Sequence, residues 1–271
     1  MGDSYLELTY GQLALAALLV VINGIISVVL RLDLAGRLLV AAVRMTVQLL
    51  LVGYVLHWIF AIDRWQAVLA LGLLMTWVAG IIAVGRTEYR RRGIWISSLI
   101  SIWASSWLVA ALALLVIVQV QPWYRPQYAI PLLGMILGNT LNGVSLGLDR
   151  FGRELEANRA QVEMLLALGA TSWEAARQPV REAVRTGMIP TLNAMLIAGI
   201  VSLPGMMTGQ LLAGVEPIQA VRYQLVIMFL IAAATALGTL GVVLLSFRYA
   251  FTPDHRLASP PGTTTSTRHR S

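Results

Sequence analysis

Seven apolar runs of about the length needed to cross a bilayer recur along this chain, at about 9–30, 38–62, 65–85, 94–120, 129–148, 187–213 and 219–247. A spanning helix takes roughly 20 apolar residues. Inside lipid the backbone must satisfy its own hydrogen bonds, which favours helices for such runs. With 58% hydrophobic and 12% charged residues among 271, no water-soluble domain of this size would hide so much apolar surface. The expected fold is all-α: a polytopic membrane protein with about seven transmembrane helices, multi-pass in a cell membrane of the bacterial inner-membrane kind. The membrane-spanning body covers residues 1–250, and the Pro-, Ser- and Thr-rich stretch 251–271 reads as a disordered cytoplasmic tail. The first run lacks a basic leader and is too long for a cleavable signal.

All 20 basic residues are arginine, and their placement orients the chain. Only Arg64, Arg125 and Arg222 fall on one side of the expected spans, and the other 17 fall on the opposite side. Positive loops stay in the cytoplasm, so the N-terminus is expected outside and the C-terminus inside. The net charge of +7 is then explained by loops, not by a nucleic-acid surface. The absence of lysine excludes a Walker A phosphate loop and Schiff-base chemistry in this chain. The absence of cysteine excludes disulfides and thiolate metal sites. The 13 acidic residues lie in expected loops, tails or span ends. A proton relay or an intramembrane aspartyl protease wants such groups at depth. These absences argue against an enzyme, and they weaken the main alternative, an ion-coupled secondary transporter of a small solute.

One long polar excursion, 149–186, interrupts the apolar pattern on the expected cytoplasmic side. Its sequence predicts a helix to about Leu168, ended by Gly169 as a C′ residue. Thr171 is then an N-cap with Glu174 three places on, a capping-box pattern. A second short, charged helix follows over about 172–186 and leads back into the membrane. The excursion serves either as a solvated link between spans or as a rigid knob offered to a soluble partner.

The residues of this region resemble known permeases. Glu163 lies six before Gly169, similar to the cytoplasmic EAA-type loop of ABC transporter permeases. Met164 and Leu165 stand where that pattern has two alanines, and Ile189-Pro190 comes later than it asks. A fuller resemblance is to the FetB-like (UPF0014) ABC permease family of iron exporters. It rests on "LGATSWEAARQPVREAVRTGMIPTLNAM", "VSLPGMMTGQLLAGVEPIQAVRYQL" and "GMILGNTLNGVSL". The family's plant members are linked to aluminium tolerance, so the resemblance leaves the metal open. It implies a permease with no cofactor of its own, paired as a homodimer. A separate ABC ATPase subunit would bind ATP and Mg and contact Glu163, Gly169, Thr171, Glu174, Arg177 and Arg181.

The sixth run carries its own breakers. Pro204 removes a backbone donor and Gly205 loosens the turn, so carbonyls near 200–202 are expected to lack partners. Irregular backbone at membrane depth is tolerated where protein or a water-filled cavity covers it. Ser202, Pro204, Gly205, Met206 and Met207 are therefore candidates for a translocation path. Met206 and Met207 are the candidate metal ligands, soft sulfurs suited to Cu(I), with Ser202, Thr208 and Gln210 offering oxygen. A packing kink with methionine as gap-filler explains the same residues. Asn139 and Asn142, among Gly134, Gly138, Gly143 and Gly147, serve either that path or close helix packing.

Overall fold

In a computed structural model, residues 9–62, 64–87, 93–252 and 256–257 are described. They form α1 (Tyr10–Val29), α2 (Ala35–Ile62), α3 (Trp65–Gly85), α4 (Ile94–Leu112), α5 (Pro126–Ala157), α6 (Arg159–Ala167), α7 (Ser172–Ile197), α8 (Gly205–Leu212) and α9 (Pro217–Ala250). Residues Ala113–Ile117 extend α4 by a π turn, closed by Val118 N–H donating to the Ala113 carbonyl at 2.8 Å. Among the described residues there is no strand beyond two single-residue bridges. Asp63, Glu88 to Arg92 and most of the 251–271 tail lie outside the described residues; the tail's Phe251 and Leu257 do pack on the core.

Six of these helices are long and apolar enough to cross a membrane: α1, α2, α3, α4 with its π turn, α5 and α9. The protein is a multi-pass, all-α membrane protein. The sixth expected span, 187–213, is not one helix. Its first part is the end of α7, its last part is α8, and residues 198–204 between them are not helical. The break also begins earlier than Pro204. Gly199 takes φ +84°, a left-handed conformation that ends a helix and suits glycine. Pro204 then stands at the N-cap of α8, where a missing N–H costs nothing because helix starts have donors to spare. Nor is the Ser202 carbonyl unpaired, since it accepts from Gly199 N–H at 2.9 Å.

The centre of the bundle is a crossing of α5, α7 and α9 made of small residues. A Cβ placed on Gly143 would lie 3.1 Å from the Gly187 carbonyl oxygen, and one on Gly147 would lie 3.3 Å from that of Ala183. That register makes α5 and α7 antiparallel. Gly143 faces Thr235 and Thr239 while Gly147 faces Thr239 and Val243, so α9 runs parallel to α5. Gly134 and Gly138, also flagged by the sequence, take no part in this crossing. Helices approach this closely in lipid only where small residues let backbones meet.

Around the crossing, α4 runs antiparallel to α9, with Ser105 against Gly238 and Ser101 against Gly241. α3 lies beside α4 and α5, tied to α4 by the Trp107 indole N–H, which donates to Thr76 Oγ1 at 3.0 Å. α1 and α2 pair with each other and touch the rest sparingly. Nearly all their apolar side chains are exposed, a surface that suits lipid.

Candidate functional site

At the break between α7 and α8 the bundle encloses a cavity of about 170 Å³. α5 contributes Met135 and Asn139, and α7 contributes Thr191 and Ala194. The break contributes Pro204, Gly205 and Met206, and α9 contributes Gln224, Ile227, Met228 and Ile231. An adjoining cavity of about 220 Å³ shares Met135, Met206 and Ile227 and adds Gln210, Tyr128 and Tyr223 among others. At 1.5 Å per residue, Met135, Asn139, Gln224 and Met228 sit roughly 10–20 Å from the starts of α5 and α9, well inside the apolar length of both.

The polar groups in this wall are few and poorly paired. Asn139 Nδ2 donates to the Met135 carbonyl of its own helix at 2.8 Å, which leaves its Oδ1 uncommitted to that bond. Gln224 is 8% exposed, and its Oε1 has no protein partner; the same is true of Gln210 Oε1. Buried amide oxygens are nearly always bonded to something. These two belong to residues that line the adjoining cavities, whereas the other unpartnered buried oxygens among the described residues are serine and threonine hydroxyls elsewhere in the bundle.

Of the residues singled out as a path, the fold thus gathers Asn139, Pro204, Gly205 and Met206. Met207 is half-buried beside them and lines neither cavity. Ser202 is exposed within the break, bridged to Ala198. Asn142 points elsewhere: its Oδ1 accepts from Arg86 Nη1 at 2.8 Å, tying α5 to the end of α3. Gln210, which the sequence offered as an oxygen donor, lines the adjoining cavity, but sequence reasoning missed Met135, Gln224 and Met228. The available signal was spacing, since Met135 and Asn139, and Gln224 and Met228, are each four apart and share a helix face.

At the far ends of α5 and α7 lies the polar elbow. α5 runs to Ala157 carrying the ion pairs Arg150–Glu154 (2.7 Å) and Arg153–Asp149 (3.0 Å), and α6 follows after a break at Asn158. On α6, Glu163 is exposed and pairs with Arg159 at 2.8 Å. Gly169, at φ +91°, closes α6 as a Schellman turn: Ala170 N–H donates to the Leu165 carbonyl (3.0 Å) and Gly169 N–H to that of Leu166 (3.1 Å).

The capping box at Thr171 and Glu174 forms, with Thr171 Oγ1 accepting from Glu174 N–H and the Glu174 carboxylate accepting from Thr171 N–H. The charged helix that follows is not a separate short element. α7 continues from Ser172 to Ile197 because Gly187 keeps helical geometry and fits the crossing, while Pro179 and Pro190 inside it each forfeit one helical hydrogen bond. Arg177, Arg181 and Arg185 form an exposed stripe along it, four residues apart. Trp173 stacks edge-on against Phe247, centroids 5.6 Å apart, fixing the elbow to the end of α9.

The Glu174 carboxylate is held below its usual range, first by the Thr171 backbone N–H and then by the Thr171 hydroxyl. A depressed carboxylate stabilises the fold above its unfolded-state pKa, and that contribution is lost as pH falls through the folded value. Glu174→Ala, which removes the carboxylate from both bonds, is therefore expected to speed amide exchange in the first turn of α7 several-fold at neutral pH. The gap between variant and parent should narrow on acidification; an equal gap at all pH values would show that the box does not hold this turn.

Compared with known proteins, residues 10–251 match the model of the family described as Uncharacterised protein family (UPF0014). The chain belongs to the UPF0014 family. A UPF0014 membrane protein of Synechocystis is 41% identical over 83% of this chain and 87% of its own. The Escherichia coli protein named "Probable iron export permease protein FetB" is 33% identical over 93% of this chain and 95% of its own. Protein ALUMINUM SENSITIVE 3 of Arabidopsis thaliana is 32% identical over 89% and 88%. No solved structure matches the chain. As a UPF0014 member the chain sits among proteins named as permeases or membrane proteins, in keeping with a role in transport and not catalysis. The family match takes in the elbow, the break and both cavities together.

Proposed function

We propose that this chain is the membrane-spanning permease subunit of an ABC transporter that exports a metal ion, iron being the ion in the name of one relative. A separate ATPase subunit, binding ATP and Mg, drives it, and two permeases act as a homodimer. The observation that carries this reading is one helix with a task at each end. α7 begins at the capped elbow, ends against the cavity, and is 26 residues long, so it spans about 39 Å as one helix that includes Pro179 and Pro190.

Motion delivered to the elbow would reach the cavity along a rigid rod clamped between α5 and α9. The clamp matters because packed interfaces switch between arrangements and do not deform continuously. The arginine bias supports an elbow on the cytoplasmic side, where ATP is found. Glu163, Arg177 and Arg181 are exposed there for contact, with Gly169, Thr171 and Glu174 setting the angle between α6 and α7. Asn139, Pro204, Gly205 and Met206 form the path wall, with Met135, Thr191, Gln224 and Met228. Among the described residues no carboxylate or imidazole lines either cavity, which disfavours coupling to protons.

The test is co-purification. An ABC ATPase encoded beside this gene is expected to be retained by the tagged permease in detergent, and its ATPase rate should respond to metal only in the complex. Metal movement by the permease alone in proteoliposomes under a pH gradient would overturn the reading in favour of a secondary transporter.

A further inference from the structure

Three methionines from three different helices line the same cavity: Met135 of α5, Met206 of α8 and Met228 of α9. Met135 and Met206 also wall the adjoining cavity, so they stand between the two. The oxygen donors beside them are neutral. Gln224 Oε1 is buried and unpartnered at the first cavity, and Gln210 Oε1 is buried and unpartnered at the second. No Asp, Glu or His among the described residues lines either space. Among the described residues no group of three or more His, Cys, Asp or Glu is placed to hold a metal.

From this donor set we infer that the cavity binds a soft monovalent cation of the Cu(I) or Ag(I) class, through the thioethers of Met135, Met206 and Met228 with Gln224 Oε1 as the supporting oxygen. Thioether sulfur is soft and uncharged, and it selects soft metals. The cost of taking an ion from water into a low-dielectric wall rises with the square of its charge. A monovalent ion with weakly held water is therefore tolerated without a counter-charge. Ferric iron or aluminium, hard and trivalent, would need the carboxylates that this wall lacks. Methionine as mere gap-filler would need no amide in the same wall, whereas Gln224 stands in the lining with Met135, Met206 and Met228. The inference narrows the cargo of the proposed permease and rests on that reading for movement across the membrane, whereas binding itself needs no ATPase.

The experiment titrates the full-length chain, purified in detergent, with Ag(I) as a redox-stable stand-in for Cu(I), following heat and silver-edge X-ray absorption. The expected result is one ion per chain with sulfur in its first coordination shell. Met206→Leu and Met228→Leu should each weaken binding about tenfold or more, while Met45→Leu, on the exposed face of α2, leaves it unchanged. Methionine to leucine nearly conserves volume, and if a variant fails to fold, the sulfur shell around silver in the parent protein still decides. Absence of Ag(I) binding, affinity equal in parent and variants, or displacement of Ag(I) by equimolar Fe(II) or Al(III) would overturn the inference. Loss of the ATPase partner with Ag(I) binding intact would instead sink the permease reading alone.

Discussion

Gly187→Leu is expected to leave almost no folded protein. A Cβ at Gly187 would lie 2.7 Å from the Gly143 carbonyl oxygen on α5 and 3.2 Å from Thr239 Oγ1 on α9. The first neighbour is backbone, which cannot swing aside, so either α5 or α9 must move away. Overpacking costs about 1–3 kcal/mol where side chains can adjust, and here the cost should exceed that range. Set against a typical total stability of about 5–15 kcal/mol, this is a severe loss at the centre of the bundle. Size-exclusion profiles and thermal melts in detergent measure it. Gly138→Ala is the matching control, because nothing lies within 4 Å of a Cβ there. A Gly187→Leu protein that melts with the parent would mean that the three helices do not meet at this distance.

The second large effect is expected at the elbow, with a different signature. Gly169 has no obstacle within 4 Å, yet it holds φ +91°. A β-branched residue is strained there by roughly 1–2 kcal/mol or more, so Gly169→Val should open the turn between α6 and α7. The residue is remote from the crossing, and the bundle should keep its melting behaviour. If the proposed ATPase partner docks at the elbow, metal transport should by contrast fall about tenfold or more, since the lever would meet its motor at the wrong angle. Gly169→Asn should retain most activity, because asparagine tolerates the left-handed conformation. Equal transport by the Val and Asn variants would separate the elbow's geometry from coupling.

These two glycines illustrate how unevenly the molecule can be read from its sequence. Gly169 announces itself: a helix of the right length, a glycine, then Thr171 and Glu174 at capping distance, all within a dozen residues. Gly187 does not, because its meaning depends on Gly143, 44 positions away, and on which face of α9 turns inward. The same holds in the site. Pro204 and Met206 mark a broken segment locally, but Met228 joins them only once α9 has packed back. Asn139 and Asn142 look equivalent in the chain. The three-residue step between them rotates one toward the cavity and the other toward Arg86.

What the sequence determined by itself is what local chemistry controls: membrane residence from apolar length, the end of α6 from Gly169, and the start of α7 from its capping box. Only the tertiary structure decided where the sixth apolar run divides, that α7 is a single rod from elbow to cavity, and which methionines share a wall. The reason is range. Hydropathy and caps act over a few residues, whereas a cavity is the space left between helices whose approach is set by small residues far apart in the chain.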